Sequence, residues 1–499
     1  MKMKYSIALA GEVHQQAANH LIRNDMQEDL CFAIWFPSQG KQRKSALIQR
    51  LILPLDGERN VHGNVSFNSN YLARAIQEAR NADGGLAFLH SHPYPGWQNM
   101  SPDDIVAEQR IAPAANGATH LPVVGMTIGS DQSWSGRFWE RTGPRKYERQ
   151  WCSAVRVVAD KLLVTFNERI TIHPRFKLKL KRTVSAWGEE AQENLARLKV
   201  GVIGTGSVGS LVAETLARMG IAQIVLLDFD SIEEHNLGTL LHGSEKDAEA
   251  KRAKVESLAH ALKLSATSNP FIVEPNEFSV VEEDGFRTAL DCDVLFSCVD
   301  RPWPRQVLNF IAYAHLIPVV DGGLIAEIQK NGRGLKRADW RAHVVAPGRR
   351  CLECLQQFDP GLVSVERDGY LDDPNYIAGL PDNHTLKRNE NVFAFSMNLA
   401  SLEVLQFLKM VIPSPGLSNI GAQRYHFVTG SLDAEINGCN PNCPYEEMTA
   451  KGEKTGFLLT GKHLIAEKMR SQRREQTQIA PKQTRWWLTV WRWVLRRFQ

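Results

Sequence analysis

The stretch from Lys199 to Asn236, KVGVIGTGSVGSLVAETLARMGIAQIVLLDFDSIEEHN, limits the fold more than any other, because it joins a nucleotide-binding turn to an acidic strand end. Lys199 to Ile203 reads as a short buried strand. Gly204, Gly206 and Gly209 follow as G-x-G-x-x-G, where backbone approaches phosphate with no Cβ in the way. Val208, Leu211, Val212, Thr215, Leu216 and Met219 then recur at helical spacing, with Gly220 where a helix-ending glycine belongs. The N-terminus of that helix would face the phosphates. Ala222 to Leu227 makes a second strand ending in Asp228, about where a dinucleotide-binding fold sets its ribose-binding carboxylate. On these residues alone the class is α/β and an NAD-dependent dehydrogenase is the default.

Two further features shift that reading. Asp228-Phe229-Asp230 is followed at short range by Asn236-Leu237, and Lys254 opens a helical run, KVESLAHAL. Over about Arg182 to Tyr445 the pattern resembles the Rossmann-like adenylyltransferase fold of ubiquitin-activating enzymes and of the thiamine- and molybdopterin-pathway activators, the ThiF/MoeB type. The resemblance implies that Gly204, Gly206 and Gly209 cradle ATP, that Asp228 binds its ribose beside Asp230, and that Asn236 and Lys254 contact phosphates. It implies also that Asp300, in SCVDR, holds Mg²⁺. Arg182, in RTVSAWGEEAQENL, matches an arginine that in the family reaches the other subunit's nucleotide, so a homodimer is expected. The residue types suit the chemistry: adenylating a carboxylate concentrates negative charge on the α-phosphate and pyrophosphate, which lysine, arginine and a carboxylate-held metal stabilise. The chain departs from the family at Thr239, where an arginine is usual, and at Arg301, where an asparagine is usual; Lys251 or Arg252 are the candidate replacements.

A second informative stretch lies earlier, GLAFLHSHPYPGWQNMSPDDIVAEQRIA. Gly85 to Leu89 is an apolar strand that delivers His90 and His92 to one face. Ser101 caps a helix with Pro102 at its first position and Asp104 in its first turn. Two imidazoles and a carboxylate leave a fourth position open, as catalytic zinc requires. The same residues also read as a plain helix start beside a hydrogen-bonded histidine pair. H-S-H-P followed by S-x-x-D resembles the JAB/MPN (JAMM) metalloprotease motif, with one residue more than usual between His92 and Ser101. That resemblance implies zinc on His90, His92 and Asp104, Ser101 assisting the oxyanion, and Glu28 as general base with Glu12 as the fallback. The bond cut would be a peptide or isopeptide bond.

The chain has 499 residues, enough for several domains. We expect an MPN-type α/β metalloprotease domain over 1–155, a β-rich connector over 156–181, an adenylyltransferase domain over 182–447, and a basic tail over 448–499. Eight cysteines, four of them in Cys351-x-x-Cys354 and Cys439-x-x-x-Cys443, suit metal ligation rather than a disulfide framework. The two pairs would close one structural Cys₄ zinc site; the alternative is four unrelated thiols. Cys292 and Cys298 read as core residues. No cysteine occurs from 355 to 438, where ubiquitin-activating relatives carry a thioester-forming cysteine, so an acyl-adenylate passed to an outside thiol or amine is expected.

The N-terminal apolar run is too short for a signal peptide, and no stretch is long enough to span a membrane. A cytoplasmic protein is expected. The tail carries twelve Lys/Arg against three acidic residues. Residues 448–484 read as polar and partly mobile. TRWWLTVWRWVLRRFQ reads as a cationic, tryptophan-rich amphipathic helix, suited either to peripheral contact with the inner membrane or to docking in a groove. No nucleic-acid track is evident.

Together these readings make a bifunctional fusion in which both halves act on the C-terminus of a ubiquitin-like protein, one trimming or deconjugating it and the other activating it. Similar fusions occur in bacterial ubiquitin-like conjugation systems, including antiphage ones, where a ubiquitin-conjugating enzyme is a further partner. The competing readings are sulfur-carrier activation with a sulfurtransferase partner, and a membrane-tethered scaffold with degenerate sites.

Overall fold

The computed structural model describes residues 3–479 apart from 63, 176–177, 330–333, 381–389, 415 and 457–458. Two sheets organise them. The first has nine strands, in the order Leu162–Phe166, Ala154–Val158, Lys4–Ala10, Arg43–Ile52, Leu30–Gln39, Gly85–Ser91, Val123–Ile128, Trp134–Gly143 and Lys146–Trp151. Leu30–Gln39 shows no polar alternation because both of its faces are covered. Cys31, Ala33 and Trp35 pack against Ala17, Ala18 and Leu21 of helix Gly11–Leu21. Leu30, Phe32, Ile34 and Phe36 pack against helices Ser69–Asn81 and Pro102–Thr119.

The second sheet has eight strands, in the order Ile272–Asn276, Gln223–Leu227, Lys199–Ile203, Val294–Ser297, Val319–Ile328, Leu335–Val345, Ala422–His426 and Ser431–Glu435. The first five run parallel and the last three are antiparallel. The chain winds outward from Lys199–Ile203 to Ile272–Asn276, then returns to Val294–Ser297 on the other side. That reversal is a topological switch point, with a crevice at the carboxyl ends of the two strands. This is the Rossmann-like half of the molecule.

The two sheets share a core: Ala8, Leu47, Val158 and Phe166 join the cluster formed by Val200, Val212, Leu258 and Phe407. Polar contacts lock the seam. Arg43 and Arg156 both reach Asp293, at 2.6 and 2.9 Å, and Asp291 accepts the backbone N–H groups of Gln42 and Arg43. Removing one partner of so buried a cluster costs about 3–5 kcal/mol. The stretch read as a connector begins as two strands of the first sheet, Ala154–Val158 and Leu162–Phe166, and later bridges to the second half where the Arg175 N–H donates to the Asn269 carbonyl at 2.8 Å.

Within the stretch 448–484, read as polar and partly mobile, residues Leu464–Ile479 form a helix that docks on the second unit through Arg470 to Glu282 and Arg473 to Glu277. Its arginines find acidic partners distant in sequence, which composition does not reveal. The tryptophan-rich segment 485–499 lies outside the described residues. Among those described, no helix is long and apolar enough to cross a membrane.

Candidate functional sites

The first site is built by strand register. Leu30 pairs with His90 across the antiparallel strands, so continuing the register sets Glu28 opposite His92. The Glu28 Oε1 atom stands 3.9 Å from His92 Nε2. Helix Pro102–Thr119 supplies the third group. The Ser101 hydroxyl accepts the Asp104 N–H at 3.1 Å and Asp104 Oδ2 accepts the Ser101 N–H at 2.7 Å, a reciprocal cap that also aims the carboxylate. Asp104 Oδ1 then lies 3.4 Å from His90 Nε2 and its Oδ2 3.3 Å from His92 Nε2.

The donor set fits zinc. Two imidazole nitrogens and one carboxylate oxygen, a ligand set that suits zinc, lie within 4.8 Å of one another, each imidazole facing a different oxygen of Asp104. The His90 Nδ1 atom is buried with no partner among the described residues. Burial would raise the Asp104 carboxyl, but the two imidazoles and the Ser101 N–H outweigh it and hold it well below the usual range. Glu12 is exposed on its helix and accepts a hydrogen bond from Gln16 instead.

A support beneath this site escaped the sequence reading. Thr127 Oγ1 lies 3.2 Å from His90 Nε2 and accepts from Arg137 Nη1 at 2.7 Å; Arg137 in turn pairs with Glu108, and both charged side chains are fully buried. Gly125 leaves the room that the Glu108 carboxylate occupies. A signal existed: Glu108, Ile111, Ala112 and Ala115 share one helix face, so a charge sits in an apolar stripe.

The second site lies at the switch point. Gly204 adopts φ +85° as the chain leaves the strand, and a Cβ on Gly209 would strike the Gly204 carbonyl, so both positions need glycine. Helix Ser207–Arg218 starts after Gly206 with no side-chain cap, leaving its first N–H groups facing the crevice. Asp228 accepts the Thr205 N–H and hydroxyl on Oδ2, at 2.7 and 3.1 Å, and the Asp230 N–H on Oδ1 at 2.9 Å. Thr205, unassigned in the sequence reading, therefore ties the glycine turn to the acidic strand end. Burial and the neighbouring Asp230 raise the Asp228 carboxyl.

Lys254 joins this group, with Nζ 2.8 Å from Asp230 Oδ2. Burial opposes its charge, but Asp228, Asp230 and Asp300 outweigh it and raise the ammonium. Asp300 is exposed just beyond strand Val294–Ser297. The Asn236 side chain accepts the Glu233 N–H at 3.1 Å, holding the turn Glu234–Asn236, and Thr239 donates its N–H to the Asn236 carbonyl. Arg301 is drawn to Asp372 and the Leu371 carbonyl, and Arg252 to Asp247. Lys251 and Arg182 are exposed, the latter on helix Lys181–Trp187. From the tail, Arg473 donates to the Phe229 carbonyl at 2.8 Å and to Ser231 Oγ at 2.7 Å.

The third group is Cys351, Cys354, Cys439 and Cys443, whose sulfurs gather within 4.8 Å. Cys351 and Cys443 Sγ are 3.7 Å apart, close to the roughly 3.8 Å edge of a tetrahedron with 2.3 Å zinc–sulfur bonds. Cys292 is buried in the cluster with Ile203 and Leu295, and Cys298 packs, partly buried, against the cluster with Val200 and Phe407.

Comparison with known proteins bears on the second half. The profile of the ThiF family matches residues 178–433. The chain is 30% identical over 133 residues to the ubiquitin-like modifier-activating enzyme 5 of Xenopus laevis, covering 24% of this chain and 32% of that protein. It is 32% identical over 138 residues to the molybdopterin-synthase adenylyltransferase of Salmonella typhimurium, covering 27% and 53%. It thus spans about a third to a half of the length of these relatives. Among solved structures, Escherichia coli MccB with MccA aligns at a TM-score of 0.43 and 18% identity, over 55% of this chain and 75% of that one.

Proposed function

Since this chain belongs to the ThiF family, we propose that it adenylates the C-terminal carboxylate of a ubiquitin-like or sulfur-carrier protein. The observation that carries this reading is the grouping of the glycine turn, Asp228, Asp230 and Lys254 at the switch point, with Asp300 close enough to act on Lys254. A carboxylate oxygen of the carrier protein attacks the α-phosphorus of ATP, the bond from that phosphorus to the bridging oxygen breaks, and pyrophosphate leaves. Lys254, kept protonated by its acidic neighbours, faces the growing negative charge, and Asp300 would hold a Mg²⁺ that supplies further charge neutralisation there. Arg182, exposed on its helix, completes the nucleotide site of a second copy, which makes the working form a homodimer. With no cysteine between 355 and 438, the adenylate passes to an external thiol or amine.

The first half, on this reading, is a JAB/MPN-type zinc peptidase or isopeptidase acting on the same C-terminus. Support comes from the ligand spacing of His90, His92 and Asp104 and from Glu28 beside them. Zinc held by these three residues would supply Lewis-acid polarisation of the amide carbonyl and acidify a water. Glu28, beside His92, would serve as general base toward the attacking water and as general acid toward the leaving amine. Ser101, whose oxygen already accepts the Asp104 N–H, keeps its O–H free to donate to the carbonyl oxygen. The four cysteines hold a structural zinc.

Sulfur-carrier activation is the second reading, alongside the likeness to a molybdopterin-synthase adenylyltransferase; a sulfurtransferase partner would support it, a ubiquitin-conjugating enzyme the first. Intact-mass spectrometry of the full chain with candidate β-grasp proteins, with and without Mg²⁺-ATP and chelator, tests both halves. ATP-dependent AMP attachment and chelator-sensitive loss of C-terminal residues are expected. A carrier left unmodified under both conditions would count against both, and favour a scaffold with degenerate sites.

A further inference from the structure

We infer that a separate binding site, for a small anion carried on an aromatic or apolar body, lies between the two sheets. A cavity of about 490 Å³ opens there, within the roughly 300–1,000 Å³ of small-molecule sites and at the kind of domain junction where they concentrate. Both units build it: Lys4, Tyr5 and Trp151 come from the first sheet, Arg197 and Lys199 from the second half. Nothing in the adenylation or peptidase reading is needed for it.

Topology separates it from both centres. Lys4 and Lys199 open the strands Lys4–Ala10 and Lys199–Ile203, so the cavity lies at their N-terminal ends. The glycine turn follows the opposite end of the second strand, about 16 Å away at 3.3 Å per residue. His90 and His92 end a strand that runs in the same direction as Lys4–Ala10, so they too lie at the far edge.

The lining is cationic. Lys4, Arg43, Arg149, Arg197 and Lys199 face Asp291 and Asp293. Both carboxylates are already occupied, Asp291 by the N–H groups of Gln42 and Arg43, and Asp293 by Arg43, Arg156 and the Lys199 N–H. Among the cations, Arg43 is engaged with Asp293 and Lys199 with Glu274 at 2.9 Å. Arg197 pairs with Glu168, yet it is 8% exposed and its Nε has no partner among the described residues. Lys4 stands exposed at the mouth; partial desolvation of its ammonium, and next the Lys199 charge, push it down, a repulsion that a bound anion would relieve. Flat apolar surface stands beside these charges: the Arg149 guanidinium lies 4.9 Å from the Trp151 ring and that of Arg197 5.8 Å from the Phe166 ring. An anionic head with an apolar body satisfies both features at once.

Fluorescence titration of the full chain with 8-anilinonaphthalene-1-sulfonate, an aromatic sulfonate, tests the site. Saturable binding of one dye per chain is expected, undisturbed by saturating Mg²⁺-ATP. Lys4→Glu should weaken it about tenfold, the effect of reversing one nearby charge, while Lys4→Arg leaves it intact. Arg149→Gln, on a separate strand, provides a second variant and should weaken it in the same direction. Dye displaced by ATP, binding unchanged in both Lys4→Glu and Arg149→Gln, or no saturable binding would overturn the inference.

Discussion

Arg473, midway along helix Leu464–Ile479, donates to the backbone carbonyl of Phe229 at 2.8 Å, between Asp228 and Asp230. Its other donors reach Ser231 and Glu277. The tail thereby braces the loop that carries Asp228 and Asp230. Replacing Arg473 by alanine removes these charge-assisted bonds, each worth about 1.5–3 kcal/mol. Part of the nucleotide's interaction must then order the loop, so ATP affinity should fall by roughly tenfold, about 1.4 kcal/mol. Isothermal titration of the variant against the parent chain checks this; equal affinities would mean the loop holds its shape without the tail.

Glu28 and the zinc ligands make a separable prediction. Glu28 stands beside His92 but outside the three-residue ligand set. Glu28→Gln should lower peptide cleavage by about 10²–10⁴-fold, the range for loss of a general base, while bound zinc stays constant. Metal content measured alongside turnover distinguishes this from a collapsed site.

Asp104 is the reciprocal partner of Ser101 in the helix cap, and on the proposed reading it is a zinc ligand as well. Asp104→Ala should therefore remove the zinc of the first site and also lower stability by about 1 kcal/mol through the lost cap. The four-cysteine site is remote in sequence and shares no ligand with it, so its zinc should remain. Elemental analysis with a thermal melt reads both effects, and loss of all zinc would show the two sites are not independent.

His315 supplies a pH dependence. Its Nδ1 meets Ser38 Oγ at 2.8 Å across the seam between the sheets, and burial pushes its imidazole down to about 3. An unfolded histidine binds a proton near pH 6.5, whereas this one does not until about pH 3. Between those values the unfolded state holds more protons, so the contribution is present above pH 6.5 and is lost as pH falls, by about 1.4 kcal/mol per unit. His315→Gln should flatten the acid side of the melting-temperature profile between pH 6.5 and 4. An unchanged slope would assign that acid sensitivity to other groups.

What could be read in advance follows the range of the interactions. Gly204, Gly206, Gly209 and Asp228 were legible because a strand, turn and helix written in consecutive residues can be placed by spacing alone. His90, His92 and Asp104 were legible for the same reason, one strand end and one helix start. Thr205 was not, since nothing in a hydroxyl between two glycines announces that it will bond to a carboxylate one strand away. The docked tail was missed because a polar helix shows its purpose only when Glu277 and Glu282 are known to lie beneath it. The seam was hidden as well. Arg43 and Asp293 look like surface charges until the sheets are brought together.

Adenylation is read most directly by ATP–pyrophosphate exchange, which reports reversible formation of an acyl-adenylate. The full chain, given Mg²⁺ and a β-grasp protein with a free C-terminal carboxylate, should return labelled pyrophosphate to ATP only when that protein is present. Exchange should fall by about 10²-fold or more in Asp300→Ala, where the charge facing the phosphates is no longer balanced by metal. Exchange that needs no carrier protein, or that survives Asp300→Ala undiminished, would contradict the account.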